Sequence, residues 1–258
     1  MWVPFFLALL LLIILGYGST RLHVLRKVSI EGIEDPETTE AYDRISRMPQ
    51  FGLLRRMFVA ELRKHDPRGT ITDIGCGPGY LLEAIGRKLP GNHLMGIDIS
   101  PEMVEKARGN LTSKGMGDRV EFQQGKAGEL PFEDSTQDLL VSTLSLHHWS
   151  DPQQAMEEFY RVLKPGGQLL IFYMRRDARR AFYWLIIFAQ HVALRFLDVE
   201  AIRRINEPVG SMLASYTPDE LKEMLSKTPF TDFRVDGGFG WMYFWCRKPT
   251  SLNISSSM

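Results

Sequence analysis

The sequence predicts an α/β fold built on a mostly parallel sheet and preceded by a membrane-spanning helix. Three observations carry this expectation. From residue 70 onward, short β-branched runs alternate with amphipathic stretches, which is how successive βα units appear in a sequence. A glycine-rich turn, Asp73-Ile-Gly-Cys-Gly-Pro-Gly79, falls where the first of those runs ends. Ahead of both, Met1 to Thr20 contains no charged side chain. A chain of 258 residues is long enough for one sizeable α/β domain. Basic and acidic side chains balance at 31 each, so no global charge draws the protein to nucleic acid, and no nucleic-acid partner is expected. The two cysteines, Cys76 and Cys246, lack metal-ligand spacing. Neither a disulfide framework nor a metal site is expected, and a reducing compartment fits.

The apolar run at the N-terminus sets the first boundary. About 20 uncharged residues at 1.5 Å rise span roughly 30 Å, the hydrocarbon thickness of a bilayer. Gly16 and Gly18 before Ser19 resemble a cleavage site, which keeps a secretory signal peptide as the rival reading. The basic front that such a peptide needs is missing, and Arg21, Arg26 and Lys27 follow the run instead. By the positive-inside rule this bias leaves the rest of the chain in the cytoplasm. The expected organisation is a single-pass anchor over 1–20, a linker over 21–40, an α/β domain over 41–250 with an insertion at 174–215, and a disordered Ser-rich tail over 251–258.

Helical patterns are expected at about Thr39–Arg47 and Phe51–Lys64, separated by Pro49. Strands are expected at about Thr70–Ile74, His93–Ile97, Val120–Gln124, Leu139–Thr143, Gln168–Tyr173, Phe233–Asp236 and Trp241–Arg247. Ser100, Asp151 and Thr217 each precede a proline, in the order N-cap then first helical residue. Glu220 completes a capping box with Thr217. Met156, Phe159 and Leu163 share a helical face and are expected in the core.

The glycine turn places flexible backbone and a helix N-terminus at one strand end, which suits a close-lying ligand. Asp98 ends the next strand, where a carboxylate can accept hydrogen bonds from both hydroxyls of a ribose. A nucleoside ligand follows. A dinucleotide is disfavoured because Tyr80 occupies the place where that fingerprint wants a small residue. Asp73, two places before the first glycine, suits a ligand carrying an ammonium group better than a pyrophosphate, since two anions repel.

These segments resemble the class I methyltransferases, and within them the type-11 group related to ubiquinone and menaquinone C-methyltransferases. Asp73–Gly79 resembles their first motif, Gly96-Ile-Asp98-Ile-Ser the second-strand motif, and Leu130-Pro-Phe the signature after strand three. Arg161-Val-Leu-Lys-Pro-Gly-Gly167 resembles the turn before strand five. The resemblance implies a Rossmann-like three-layer sandwich with seven strands in the order 3-2-1-4-5-7-6, strand seven antiparallel. It implies S-adenosyl-L-methionine as methyl donor, with Asp73, Gly75 and Gly77 at the methionine part, Asp98 on the ribose and Ile99 on adenine. It further implies Ala127 at the adenine edge, Thr143 near the amino-acid moiety, and Tyr42, in Tyr-Asp-Arg-Ile, closing the pocket. Where the group often has Gly-Asp-Ala, this chain has Gly125-Lys126-Ala127, so an adenine-binding carboxylate is absent and Glu129 is the substitute considered.

Methyl transfer from a sulfonium needs no metal, and a base only when the acceptor must be deprotonated. His147 and His148 follow strand four at the carboxyl edge of the sheet, where open α/β sheets bind ligands. They read as a base or acceptor-orienting pair, or alternatively as a turn whose imidazoles cap backbone. Tyr173 and Asp177 have a similar address after strand five. Between strands five and six, Ala181–Leu197 is almost entirely apolar and follows Arg175, Arg176, Arg179 and Arg180. It is expected to be a lid helix, an interfacial helix with its arginines at anionic headgroups, or both. The acceptor expected is a small lipophilic or quinone-like molecule, and membrane contact is expected through 1–20 and 175–197. An NAD-dependent oxidoreductase and a non-catalytic tethered scaffold remain as alternatives.

Overall fold

In a computed structural model of the chain the described residues are 16–27, 36–196 and 209–250, without the side chains of 189–196. Two helices open the domain, α1 (Pro36–Ser46) and α2 (Pro49–Leu62). Then follow β1 (Thr70–Ile74), α3 (Tyr80–Lys88), β2 (His93–Asp98), α4 (Pro101–Thr112), β3 (Val120–Gln124) and β4 (Gln137–Thr143). The second half holds α5 (Pro152–Val162), β5 (Leu163–Met174), α6 (Arg180–Phe196), α7 (Val209–Ala214), α8 (Pro218–Ser226), β6 (Asp232–Gly237) and β7 (Trp241–Arg247). The seven strands form one sheet in the order β3-β2-β1-β4-β5-β7-β6, the order implied above. β1 to β5 run parallel and β7 pairs antiparallel with both β5 and β6.

The sheet is covered on both faces, which is why its central strands read as continuous apolar runs. Phe58, Leu62, Leu82, Ile85 and Leu111 pack on one face. Met156, Phe159, Val162, Leu221, Leu225 and Phe230 pack on the other. Helix starts follow the expected chemistry: Ser100 accepts from Met103 N-H, Asp151 accepts from Gln154 N-H, and Thr217 and Glu220 form a reciprocal capping box.

Several boundaries differ from expectation. The linker assigned to 21–40 turns helical at Pro36, because proline in a first turn gives up only an N-H that would lack a partner anyway. Residues 20–27 run along the insertion, Leu22 N-H donating to Ala178 O at 3.0 Å and Lys27 N-H to Leu213 O at 3.1 Å. Leu163 opens β5 instead of closing α5, and the Lys164–Gly167 segment expected to be a turn lies inside that strand. Backbone bonds from Gly166 to Lys248 O and from Lys248 to Gly167 O hold it there. Most of the expected anchor (1–15) and the whole expected tail (251–258) lie outside the described residues. Among the described residues no helix is long and apolar enough to cross a membrane.

Arg175 and Arg176 do not face headgroups as expected. Both are buried. Arg175 grips Asp177 with two hydrogen bonds of 2.8 and 2.7 Å and donates to Gly238 O. Arg176 donates to Val24 O and Ser215 O and pairs with Glu220. Backbone carbonyls at the root of the insertion need donors, and a guanidinium supplies several at once. Arg179 remains exposed.

Candidate active site

The carboxyl ends of β1 and β2 bring the glycine turn against Asp98. Gly75 and Gly77 have φ of +73° and +50°, and a Cβ on Gly75 would lie 2.8 Å from Ser145 Cβ. Only glycine turns there without strain and without closing the gap to the loop after β4. Ile97 O accepts from the N-H groups of both Gly75 and Cys76, so the turn is fixed to β2. Asp98 Oδ2 accepts from Gly77 N-H at 2.8 Å and Oδ1 from Ser100 N-H at 3.0 Å. Each carboxylate oxygen keeps a further lone pair for a ligand hydroxyl. Burial raises the Asp98 pKa above the ordinary range, while the N-H donors of Ser100 and Gly77 and the nearby His148 work against that rise.

Around this junction lies a cleft of about 910 Å³. Tyr42, Gly75, Gly77, Asp98, Ile99 and Ala127 line it, as do His147 and His148. Ile99 is 56% exposed, presenting its side chain to that space. Thr143 lies instead on a smaller recess of about 70 Å³, which shares Tyr42, Gly75 and Gly77 with the main cleft. Asp73 lines neither. It is 1% exposed, and its Oδ1 finds no hydrogen-bond partner. Burial, with a smaller contribution from Asp98, pushes its carboxyl up to about 8. A buried acid beneath a glycine cradle, lacking a donor, fits a ligand that brings an ammonium group.

His147 and His148 sit on a single 3₁₀ turn, Leu146–His148, with ring centroids 3.8 Å apart. His147 is buried, its Nε2 2.8 Å from Ser211 Oγ on α7. His148 is half-buried, which makes it the better placed of the two to meet a ligand. Tyr173 is fully buried in β5 and stands outside the cleft lining, its ring 5.7 Å from His147. It packs behind the histidine turn. Asp177 is also structural. Burial opposes its ionisation, but the Arg175 clasp and Arg21 hold its carboxyl below the ordinary range. Glu129 is exposed and outside the cleft, because the bridge from Lys126 to Glu129 turns it away; Lys126 lines the space instead.

A methyltransferase domain model matches residues 72–171. A ubiquinone/menaquinone biosynthesis C-methyltransferase of Geotalea daltonii is 32% identical over 206 residues, covering 77% of this chain and 83% of that protein. The chain belongs to the S-adenosylmethionine-dependent methyltransferases. A demethylmenaquinone methyltransferase of Thermus thermophilus is 29% identical, with 76% of this chain and 90% of that one aligned. In fold the chain is similar to phosphoethanolamine N-methyltransferase 2 of Haemonchus contortus, solved with S-adenosylhomocysteine. That likeness has a TM-score of 0.56 at 18% identity, over 76% of this chain and 53% of the other. The methyltransferase is thus an enzyme whose methyl donor is S-adenosyl-L-methionine, and the oxidoreductase alternative falls away. When bound, the donor supplies a methyl group already activated by a sulfonium.

Sequence reasoning missed Asp43, next to Tyr42. Its carboxylate is 1% exposed, accepts from Tyr80 O-H at 2.8 Å and Asn110 Nδ2 at 3.0 Å, and pairs with Arg47 at 2.5 Å. Asn110 also donates to Pro78 O. The cluster pins α1, which carries Tyr42, to the glycine turn and α4. Its sequence signal was present: an acid adjoining Tyr42, with Tyr80 opening α3. Asp43→Ala should lower stability by about 2 kcal/mol, because the Tyr80, Asn110 and Arg47 donors lose their acceptor. Chemical denaturation checks this, and the midpoint should fall with little change in slope.

Proposed function

We propose that this methyltransferase acts on a lipophilic, hydroxylated aromatic acceptor of the quinol type, drawn from a membrane surface to which the chain is tethered with its catalytic domain in the cytoplasm. The observation that carries the reading is the makeup of the cleft beyond Asp98. There His147, His148, Trp149 and Tyr216 offer flat faces and hydrogen-bonding nitrogen and oxygen, which suits a ring bearing hydroxyls. Relatives named as demethylmenaquinone methyltransferases support the same class.

In this reading Asp98 and the Gly75–Gly77 turn hold the donor, with Asp73 beneath its amino group. Ile99 and Ala127 flank the base, Thr143 lies near the amino-acid end, and Tyr42 covers the cofactor. His148 would accept the proton of the acceptor hydroxyl. Where a ring carbon takes the methyl group, its C-H proton leaves afterwards to restore the hydroxyl, and the donor departs as the neutral thioether S-adenosylhomocysteine. His147, anchored on Ser211, fixes the orientation of the histidine turn. Exclusion of water and alignment supply most of the rate, and the base contributes roughly 10² to 10⁴. The purified full chain should transfer a deuterated methyl group from S-adenosylmethionine to a short-chain demethylmenaquinol kept reduced, detected by mass spectrometry. Tight S-adenosylhomocysteine binding without transfer to any quinol would reject the acceptor assignment and favour the scaffold alternative.

Membrane contact is supported by the uncharged run Met1–Thr20 and by an exposed apolar face on α6 formed by Trp184, Leu185 and Phe188. Tyr17 stacks on Trp184 at 5.5 Å, so the end of the N-terminal run meets that face. Removal of residues 1–15 should leave residual flotation with anionic liposomes. Phe188→Asp in that truncated chain should abolish it, because one charge replaces an exposed apolar anchor. Equal flotation with and without the aspartate rejects the interfacial role of α6.

A further inference from the structure

The stretch from Thr20 to Lys27 is not a spacer. Thr20 O accepts from Arg180 N-H at 2.9 Å, Leu22 N-H donates to Ala178 O, Val24 O accepts from Arg176 Nε, and Lys27 N-H donates to Leu213 O. These bonds zip an extended strap onto the root of the insertion. Side chains alternate along an extended chain. Leu25 is 90% exposed, whereas Arg26 turns inward and lines the cleft.

There Arg26 is held from two sides. Its Nε donates to Ala214 O at 2.8 Å, and its guanidinium carbon lies 4.1 Å from the centroid of the Tyr216 ring, which also lines the cleft. Two carboxylates close to the stacked Tyr216 have other work: Glu220 caps α8 and pairs with Arg176, and Asp151 caps α5. Lys126, another cation on the cleft wall, sits between Gly125 and Ala127 in the loop after β3, at the cofactor end. A fixed guanidinium stacked on an aromatic ring, in a cleft that two imidazoles also line, is a recognition device for a planar oxyanion.

We propose that Arg26 is a specificity-determining residue of the acceptor site, binding an anionic oxygen of an aromatic acceptor, and that the N-terminal strap is therefore a structural part of the catalytic cleft. This rests on the acceptor-class reading above, yet it is tested by binding alone. A positive charge beside an acceptor hydroxyl favours its ionised form, which is the better nucleophile toward a sulfonium methyl. The strap also ties the cleft to the segment that carries the apolar run, so the acceptor wall and the tether are one continuous piece of chain.

The test uses the full chain saturated with S-adenosylhomocysteine and two probes that share one ring system, 1-hydroxy-2-naphthoate and 1-naphthol, titrated calorimetrically. The wild type should prefer the carboxylate. Arg26→Gln should weaken 1-hydroxy-2-naphthoate about 10-fold or more, leave 1-naphthol within about twofold, and leave S-adenosylhomocysteine affinity unchanged, as expected when one charge-assisted contact is lost. Arg26→Lys should recover part of the preference. The proposal is overturned if neither probe binds the wild type, if both probes weaken equally in Arg26→Gln, or if the preference survives. Absence of methyl transfer to quinols leaves these binding results standing and strikes only the acceptor-class reading.

Discussion

Asp98→Ala is expected to weaken S-adenosylhomocysteine binding by about 100-fold or more, the largest loss of any single substitution in the cleft. In the proposed ribose-binding role, two charge-assisted hydrogen bonds to ribose hydroxyls would contribute about 3 kcal/mol together, and each 1.4 kcal/mol is tenfold in affinity. The substitution reaches further than the ligand. Gly77 N-H loses its 2.8 Å acceptor and Ser100 N-H its 3.0 Å one, so the glycine turn and the entry to α4 loosen as well. Asp98→Asn keeps one carbonyl acceptor and should fall between wild type and alanine. Calorimetric affinities within threefold of wild type for the alanine variant would remove Asp98 from the ribose-binding role.

Cofactor binding should release a proton at neutral pH, and Asp73 should be its source. In the free protein this carboxyl titrates at about 8, chiefly because burial disfavours its charge. An ammonium brought beneath the glycine turn stabilises the carboxylate and drives the proton off. Affinity for S-adenosylhomocysteine should therefore rise with pH and level off above about 8. The stability of the free protein runs the other way. The unfolded chain releases this proton near its ordinary value of 3.8, below the folded value, so the folded state holds more protons across that window. Stability then falls as pH rises from about 4 to about 8, and is flat with respect to this group beyond that range. Calorimetry in buffers of different ionisation enthalpy counts the proton. Asp73→Asn should abolish the release, flatten the stability slope and lower affinity, and an unchanged proton count in that variant would assign the release elsewhere.

Much of the fold was legible because local chemistry and global packing agree in it. Strands β1, β3 and β7 fall where β-branched and aromatic runs place them, and the caps at Ser100, Asp151 and Thr217 each find the N-H that their position requires. In the candidate cleft the glycine turn and Asp98 are equally readable, since backbone freedom and a strand-end carboxylate are local properties. Legibility failed where a side chain's role depends on residues distant in the chain. Arg175 and Arg176 read as a basic approach to an apolar helix, yet they serve carbonyls and carboxylates at Val24, Asp177, Ser215 and Glu220. Tyr173 and Asp177 had the address of catalytic groups but point into packing and into an ion pair.

By itself the sequence determined the strand and helix pattern, the glycine turn, the strand-end carboxylate at Asp98 and the methyltransferase family, because each is written in a contiguous stretch with a fixed spacing. Only the tertiary structure decided that Asp43 ties the helix carrying Tyr42 to the glycine turn, that His147 is buried against Ser211, and that Arg26 reaches the cleft. Those pairings join residues tens to nearly two hundred positions apart. Their energies depend on burial and on distances that no local pattern encodes, and the folded sheet alone brings them within reach of one another.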